Sequence, residues 1–488
     1  MTAPLPAPFG PHDAAAFSEF AARMTATLAE YLATVRERPV RDWKPAGEIL
    51  ARWNFSPPAQ GLGADAALAQ LRDLIEDCTH LQHPHYMGHQ VSAPVPAAGV
   101  FGLAIDILNP GMAVGEMAPA AATIEAALIR WLGGLAGLPL ECAGYFTSGG
   151  TEANLAGLLA ARSAKLGGEV WTKGMRAAPE AALMISSHAH YSISRTAGML
   201  GLGTDSLITV PVNEEFRMTA AAAANALARA RTQGLKPFAL VASAGCTPTG
   251  TIDPLEDLAE FCEKESLWLH VDGAHGASLL LNPELAPRLR GIQRADSLAW
   301  DPHKMMSLPL GMGAVFTRDR GALLDAYRQN APYIFHPETA GAALPNPGEI
   351  SFQCSRPGDA LKLWGILMLY GSDLFAEIIR RQCANAAALY EMLRHSDDFI
   401  PLHPPDTNIL CFIHRPAAWR ELPAEELGRR NFLLHEILNH SGEAWITSTV
   451  LNGRRVLRCT LMNPATTAND LEGLLISLRK LAKDIPGN

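Results

Sequence analysis

Residues 238–272 read FALVASAGCTPTGTIDPLEDLAEFCEKESLWLHVD. Phe238–Ser243 is a short apolar run, the signature of a strand buried on both faces. Gly245–Thr251 is a loop rich in Gly, Pro and Thr. Asp253-Pro254-Leu255-Glu256 reads as a helix start: Asp253 can cap, Pro254 fits the first turn, and Glu256 closes a capping box. Leu255, Leu258 and Cys262 give that helix its buried face. Leu267–Val271 is the next strand and ends at Asp272. This is a βαβ unit, whose strands run parallel. In open α/β sheets ligands sit beyond the carboxyl ends of the strands. Thr247 and Asp272 are therefore expected together, at the ends of two strands of one sheet.

The rest of the chain extends this pattern. Residues 94–365 alternate helical patterns with short apolar runs, which predicts a mostly parallel sheet covered by helices on both faces. Residues 14–52 read as helices, with Phe17, Phe20, Met24, Leu28 and Leu32 in one apolar stripe. Residues 54–64 are a turn-rich break. An Ala-rich helix is expected at 219–230, and an open αβ pattern with Pro-rich loops at 401–405 and 416–423 follows from about residue 385. There is no internal repeat. The expected organisation is an N-terminal helical segment (1–93), a large α/β domain (94–365) and a small C-terminal αβ domain (366–488).

Composition narrows the function classes. The chain has 488 residues, 48% of them hydrophobic and 18% charged. That length suggests two or three domains and composition excludes a disordered chain. A net charge of -9 argues against a nucleic-acid partner, which calls for basic surface. Eight cysteines, widely and irregularly spaced with no CxxC pair, argue against a disulfide framework or a thiolate zinc site. The start, MTAPLPAPFGPHD, lacks the basic and apolar regions of a signal peptide. The longest apolar candidate for a membrane span, Ala93 to Ile105, is too short and holds two prolines. A cytoplasmic protein with no membrane association is expected.

Three motifs carry chemistry. Thr147-Ser148-Gly149-Gly150-Thr151-Glu152-Ala153-Asn154 follows an apolar stretch and opens a helix faced by Leu155, Leu158 and Leu159. Its small residues and free N–H groups suit a phosphate, although it is neither a Walker loop nor GxGxxG. Alone it reads first as an ordinary Gly-rich turn. His270-Val271-Asp272-Gly273-Ala274-His275 places an acid at a strand end, either as a solvated carboxylate or to hold a proton on a heterocyclic nitrogen. Asp301-Pro302-His303-Lys304 offers a lysine that is either a surface group or, in an apolar setting, a nucleophile.

Taken together, a phosphate cradle, a strand-end Asp and a downstream Lys resemble the fold-type-I pyridoxal-phosphate enzymes. DPHK at 301–304 and HAH at 188–190 narrow the resemblance to the group II amino-acid decarboxylases, which act on glutamate, cysteine sulfinate, aspartate or aromatic amino acids. It runs from about residue 83 to the C-terminus. The resemblance implies pyridoxal 5'-phosphate carried covalently on Lys304, with Asp272 facing the pyridine nitrogen. His190 would stack on the ring and Ala274 pack on its other face. Gly150 and Thr151 would hold the phosphate, His303 would lie near it, and Thr247 close to the cofactor. The implied reaction is loss of the α-carboxylate as CO2 and return of a proton to Cα. Ala331-Pro332-Tyr333-Ile334-Phe335 resembles the family's mobile-loop motif, which makes Tyr333 the expected proton donor; its ring could instead anchor a loop. Active sites of this fold form between two subunits, so a homodimer is implied, with the N-terminal helices packed on the partner.

The substrate is less legible. Glu116-Met117-Ala118-Pro119, PHKMM at 302–306, the 331–335 motif and Gln353-Cys354-Ser355-Arg356 resemble the glutamate and cysteine sulfinate branch. By that resemblance Arg356 lies near a substrate carboxylate, although Pro357 and Gly358 would alter the local backbone. In HPHYMGHQVS at 83–92, Gly88 and His89 stand where acidic-substrate enzymes carry an Asn-Gln pair. Gln90, Gly111 and Ala113 stand where the aromatic branch carries bulky residues. A small polar or acidic substrate is expected, contacted by His89, Gln90 and Arg356. The alternatives are an aromatic amino acid, 2,4-diaminobutyrate, or another reaction on the same cofactor, such as aldol cleavage or transamination. A non-catalytic homologue is a further reading, opposed by the intact Lys304, Asp272, His190 and Tyr333. A metal enzyme is a rival from another class. His83, His85 and His89, His188 and His190, and His435-Glu436 with His440 are its candidate ligands, but HExxxH is one residue too long for a zincin helix. No metal is expected.

Overall fold

The computed structural model describes residues 12–335 and 346–485. Seven strands form the large sheet: β1 (Ala143–Thr147), β2 (Ala181–Ser186), β3 (Leu207–Val210), β4 (Lys236–Ser243), β5 (Trp268–Asp272), β6 (Ser297–Trp300) and β7 (Gly313–Thr317). Their order is β1-β7-β6-β5-β4-β2-β3. The pairs from β3 through β6 are parallel, and β7 alone runs antiparallel to its neighbours β1 and β6. The expected mostly parallel sheet is thus present, and the βαβ unit at 236–272 lies at its centre.

Alternate residues of each strand feed the two faces. Leu240, Ala242, Leu269, Val271 and Leu298 pack with Leu255, Leu258 and Cys262 of the helix Leu255–Glu265. Ala239, Val241, Trp268 and Ala299 pack on the other face with the helices Gly150–Leu166 and Tyr191–Met199. Register then aligns the strand ends: Ser243 pairs with Asp272, and Asp272 with Ala299. The carboxyl ends of β4 and β5 therefore meet at one edge of the sheet.

The helix start at 253–256 departs from expectation. The helix begins at Leu255, and no side chain caps it. The Asp253 carboxylate turns inward and accepts from Ser243 N and Met218 N, both at 2.8 Å. Two interior N–H groups outcompete the helix terminus because they have no water to fall back on.

Beyond the large sheet, β8 (Phe399–Pro401), β9 (Ile409–His414), β10 (Thr447–Leu451) and β11 (Arg454–Thr460) form an antiparallel sheet ordered β10-β11-β9-β8. The helices Ala424–Ser441 and Ala468–Ala482 share its core. The expected boundary at 365/366 falls inside the helix Ala360–Tyr370, which continues to Gly371 at φ +73°. In the N-terminal segment the helix Ala14–Thr34 is capped by Asp13. Residues 38–45 interrupt the helical reading before the helix Ala46–Trp53. Arg36 and His85 both bind Asp470, which ties this segment to the last helix. Of the apolar stripe, Phe17, Leu28 and Leu32 are exposed in the single chain. Among the described residues no helix is long and apolar enough to cross a membrane.

Candidate active site

The edge where β4 and β5 end is a cavity of about 410 Å³. Each sequence motif contributes to its wall. Gly149, Gly150 and Thr151 come from the start of the helix that follows β1, Thr247 from the loop after β4, and Asp272 and Ala274 from the end of β5. His303 and Lys304 come from the turn after β6, and His190 from the start of the helix after β2. Parallel strands joined by crossover connections bring these distant segments to one edge.

At the helix N-terminus the backbone is pressed close. A Cβ on Gly150 would stand 2.7 Å from Asp301 Oδ2 and 3.0 Å from the Ala274 Cβ, so only glycine fits. Glu152 fastens the preceding turn: its carboxylate accepts from Ser148 N at 2.9 Å, Ser148 Oγ at 2.8 Å and Tyr145 Oη at 3.2 Å. The Lys304 ammonium lies 3.0 Å from Asp301 Oδ2, and His303 Nε2 lies 3.6 Å from the same oxygen. Asp301 is almost wholly buried.

Asp272 is held by two donors, Asn154 Nδ2 at 3.1 Å and Ala274 N at 3.2 Å. Behind it His270 is completely buried, and burial pushes its pKa down to about 4. Burial likewise lowers the pKa values of His190 and His303, and takes that of His275 down to about 3. These rings are neutral at pH 7. They can donate or accept hydrogen bonds without adding charge.

Three buried polar atoms of the lining residues have no hydrogen-bond partner: Asp301 Oδ1, His303 Nδ1 and His275 Nδ1. Buried polar atoms are nearly always paired. Orphans gathered around a glycine cradle, a helix N-terminus and a lysine fit a polar, phosphate-bearing guest that reacts with an amine. Pyridoxal phosphate has that chemistry.

The expected substrate contacts separate. Gln90 lines the cavity. His89 instead lines a neighbouring cavity with Arg41, His435 and Trp445. Arg356 does not line the cofactor cavity at all. It is buried, its guanidinium forms a bidentate pair with Glu125 (2.8 Å for one of the two bonds), and it lies over the Tyr145 ring at 5.6 Å. A buried Arg needs such a fork–fork partner, so the reading of Arg356 as a substrate-carboxylate receptor is corrected here to a structural ion pair. Arg356→Met leaves Glu125 charged, buried and unpaired, and is expected to cost about 3–5 kcal/mol of stability. Chemical denaturation measures that loss, while the Michaelis constant of the remaining folded enzyme stays unchanged.

Tyr333 is 84% exposed and lies outside the cavity of its own chain, on a turn closed by Ile334 N and Phe335 N on Ala331 O. The candidate metal ligands are otherwise engaged: His85 binds Asp470, His83 Nδ1 accepts from His85 N, and His190 bonds Ser192. Among the described residues no group of three or more His, Cys, Asp or Glu side chains could hold a metal ion.

Sequence reasoning gave no role to Asn154, Ser192, His270 or Asp301, although three of them lie inside quoted motifs. A signal existed: Asn154 interrupts an Ala- and Leu-rich helix, and His270 interrupts an apolar central strand.

Known proteins resemble this chain along most of its length. The family described as "Pyridoxal-dependent decarboxylase conserved domain" matches residues 62–415. An aromatic-L-amino-acid decarboxylase of Bacillus atrophaeus is 30% identical over 465 residues, 94% of each chain. The crystal structure of mouse CSAD superposes with a TM-score of 0.91 at 28% identity, covering 97% of this chain and all of that one. The glutamate decarboxylase domain of a diaminobutyrate-pyruvate transaminase and L-2,4-diaminobutyrate decarboxylase from Vibrio parahaemolyticus gives 0.84 at 25% identity, covering 98% and 97%. Oryza sativa TDC, crystallised with PLP and tryptamine, shares the fold with a TM-score of 0.90 at 23% identity, covering 98% and 99%. With its fold-type-I architecture and its pyridoxal-phosphate cavity, the chain belongs to the pyridoxal-dependent decarboxylases and is a carboxy-lyase acting on an amino acid.

Proposed function

We propose that the substrate is a small polar or acidic L-amino acid, of the glutamate, aspartate or cysteine sulfinate type, converted to its amine and CO2. The supporting observation is the cavity lining. Gln90, the lining side chain with no role toward the cofactor, presents a polar amide, and Leu310 is the one large apolar side chain among the described lining residues. A site that must hold an aromatic ring normally presents apolar or aromatic walls. A second reading, an aromatic substrate, is favoured by the name of the Bacillus relative. The deciding experiment measures CO2 and amine from each common L-amino acid, cysteine sulfinate and 2,4-diaminobutyrate, with pyridoxal phosphate added. A polar or acidic amino acid as the best substrate is the expected result; an aromatic one, or diaminobutyrate, overturns the pocket reading.

The cofactor, when bound, supplies the electron sink that takes up the bonding pair left by the departing carboxylate. The chain's residues arrange everything else. Lys304 Nζ is the amine that carries the cofactor, and Asp301, 3.0 Å away, is the acceptor at hand for its protons. Gly150 and Thr151 would hold the phosphate, with His303 beside it. Asp272 would keep a proton on the pyridine nitrogen, while His190, Ala274 and Thr247 would line the place of the ring.

Tyr333 donates its phenolic proton to Cα after CO2 leaves. Because it stands outside its own cavity, we assign it to the cavity of a second copy. The exposed Phe17, Leu28 and Leu32 fit such a homodimer, as do the exposed Val100, Ile107, Met368 and Leu369 on two helices that touch through Phe101 and Trp364. Sedimentation at working concentration is expected to give a dimer, and a monomer with full activity contradicts this assignment. Tyr333→Phe is expected to slow amine formation by about 10²–10⁴-fold, the range for loss of a general acid. Unchanged amine formation removes Tyr333 from the mechanism.

A further inference from the structure

Behind the cavity wall runs a buried chain of side-chain hydrogen bonds that no step above uses. Trp268 Nε1 lies 2.8 Å from Ser297 Oγ, which lies 2.8 Å from His270 Nδ1. His270 Nε2 lies 2.9 Å from Asn154 Oδ1. Asn154 Nδ2 reaches both Asp272 Oδ2 at 3.1 Å and Ser192 Oγ at 3.0 Å. Ser192 Oγ lies 2.8 Å from His190 Nδ1, which also accepts from Ser192 N at 3.3 Å. His270, Ser192, Ser297 and Asn154 are all buried.

Donor and acceptor counting allows one direction for the whole chain. Its two ends are unambiguous: the indole N–H of Trp268 can only donate, and the Asp272 carboxylate can only accept. Asp272 therefore takes an Asn154 N–H, which turns the Asn154 carbonyl toward His270. That carbonyl needs a donor, so His270 carries its proton on Nε2. A ring with a pKa near 4 holds only one proton at pH 7, so His270 Nδ1 accepts from the Ser297 hydroxyl. Ser297 Oγ in turn accepts the indole N–H. On the other branch Ser192 Oγ accepts the second Asn154 N–H, which leaves its own hydrogen for His190 Nδ1. No flipped amide or alternative tautomer satisfies every member. The packing leaves no slack either: a Cβ on Gly157 would stand 2.6 Å from His270 Cε1 and 2.7 Å from its Nδ1.

We propose that Asn154, His270 and Ser192 are positioning residues that lock His190 as the neutral tautomer protonated on Nε2, while Asn154 orients the Asp272 carboxylate. His190 Nδ1 is then occupied by two donors, and its Nε2, which has no partner among the described residues, is left as an N–H. His190 serves the cavity as a hydrogen-bond donor and not as a proton-abstracting base. One amide thus sets two groups of the site at once. The tautomers follow from the protein alone; their catalytic consequence rests on the roles proposed above for His190 and Asp272.

The first test needs no substrate. Nitrogen-15 NMR of histidine-labelled protein at pH 7, with and without pyridoxal phosphate, reads protonation at each ring nitrogen, with His190→Gln and His270→Gln spectra assigning the two signals. Both rings neutral with the proton on Nε2 is the expected result. A proton on Nδ1 of either ring, or a charged ring, overturns the proposal whatever the enzyme decarboxylates. The second test is Asn154→Leu, similar in shape but without polar atoms. The expected result is a kcat roughly 10- to 100-fold lower, the weight of a hydrogen bond to a charged group, with KM little changed. In the same variant the His270 signal is expected to lose its single-tautomer signature. Full kcat with an unaltered His270 signal contradicts the positioning role.

Discussion

Lys304→Ala is expected to abolish covalent retention of pyridoxal phosphate and to lower decarboxylation by about 10³-fold or more, the scale seen when a covalent catalytic residue is deleted. The physical reason is local. Lys304 is the one lysine lining the cavity among the described residues, and its ammonium forms a 3.0 Å pair with a nearly fully buried aspartate. Removing it leaves His303 as the remaining ion-pair partner of Asp301 among the described residues, in a cradle that would also receive a phosphate. Weaker cofactor retention is therefore expected alongside lost chemistry. Dialysis of the loaded protein followed by an absorbance scan separates the two. The wild type keeps its cofactor band, and the variant loses it.

The second large effect belongs to Asp272→Asn. The substitution preserves shape and removes the negative charge at the carboxyl end of β5. A carboxylate beside a heterocyclic nitrogen stabilises the protonated form that draws electrons from the scissile bond. Loss of one such preorganised group typically costs about 10²–10³-fold in kcat. A further cost is built into this chain. Asn154 Nδ2 and Ala274 N both donate to the Asp272 carboxylate, and an amide at 272 can accept through one atom only. One donor then loses its acceptor. A fall of about 10²–10³-fold in kcat, with cofactor still bound, is the expected result; kinetics on the cofactor-saturated variant measure it.

The parts of this structure that were legible in the sequence share a cause. The central βαβ unit and the three motifs each depend on local rules: apolar runs for buried strands, small residues where backbone meets ligand, and an acid at a strand end. Those rules singled out the motifs, the family resemblance then assigned Gly150, Thr151, Thr247, Asp272, Ala274, His303 and Lys304 to one site, and the structure gathers these residues around one cavity. What the sequence did not disclose depends on long-range competition. Asp253 looked like a helix cap, yet two buried N–H groups from β4 and from Met218 claim its carboxylate. Arg356 looked like a substrate fork, yet Glu125, far away in sequence, fills it. His89 is a neighbour of Gln90 in the chain but faces a different cavity. The boundary drawn at 365 cut a helix because Gly371, not a change in composition, ends it. Phe17, Leu28 and Leu32 form an apolar stripe, yet these three side chains stay exposed among the described residues.

The most direct test of the proposed site is chemical trapping. The protein is loaded with pyridoxal phosphate, reduced with borohydride, digested and mapped by mass spectrometry. The expected result is a single pyridoxyl group on the peptide containing Lys304. A pyridoxyl group on a different lysine, or full decarboxylase activity from protein in which Lys304 stays unmodified, contradicts the assignment of this cavity as the catalytic centre.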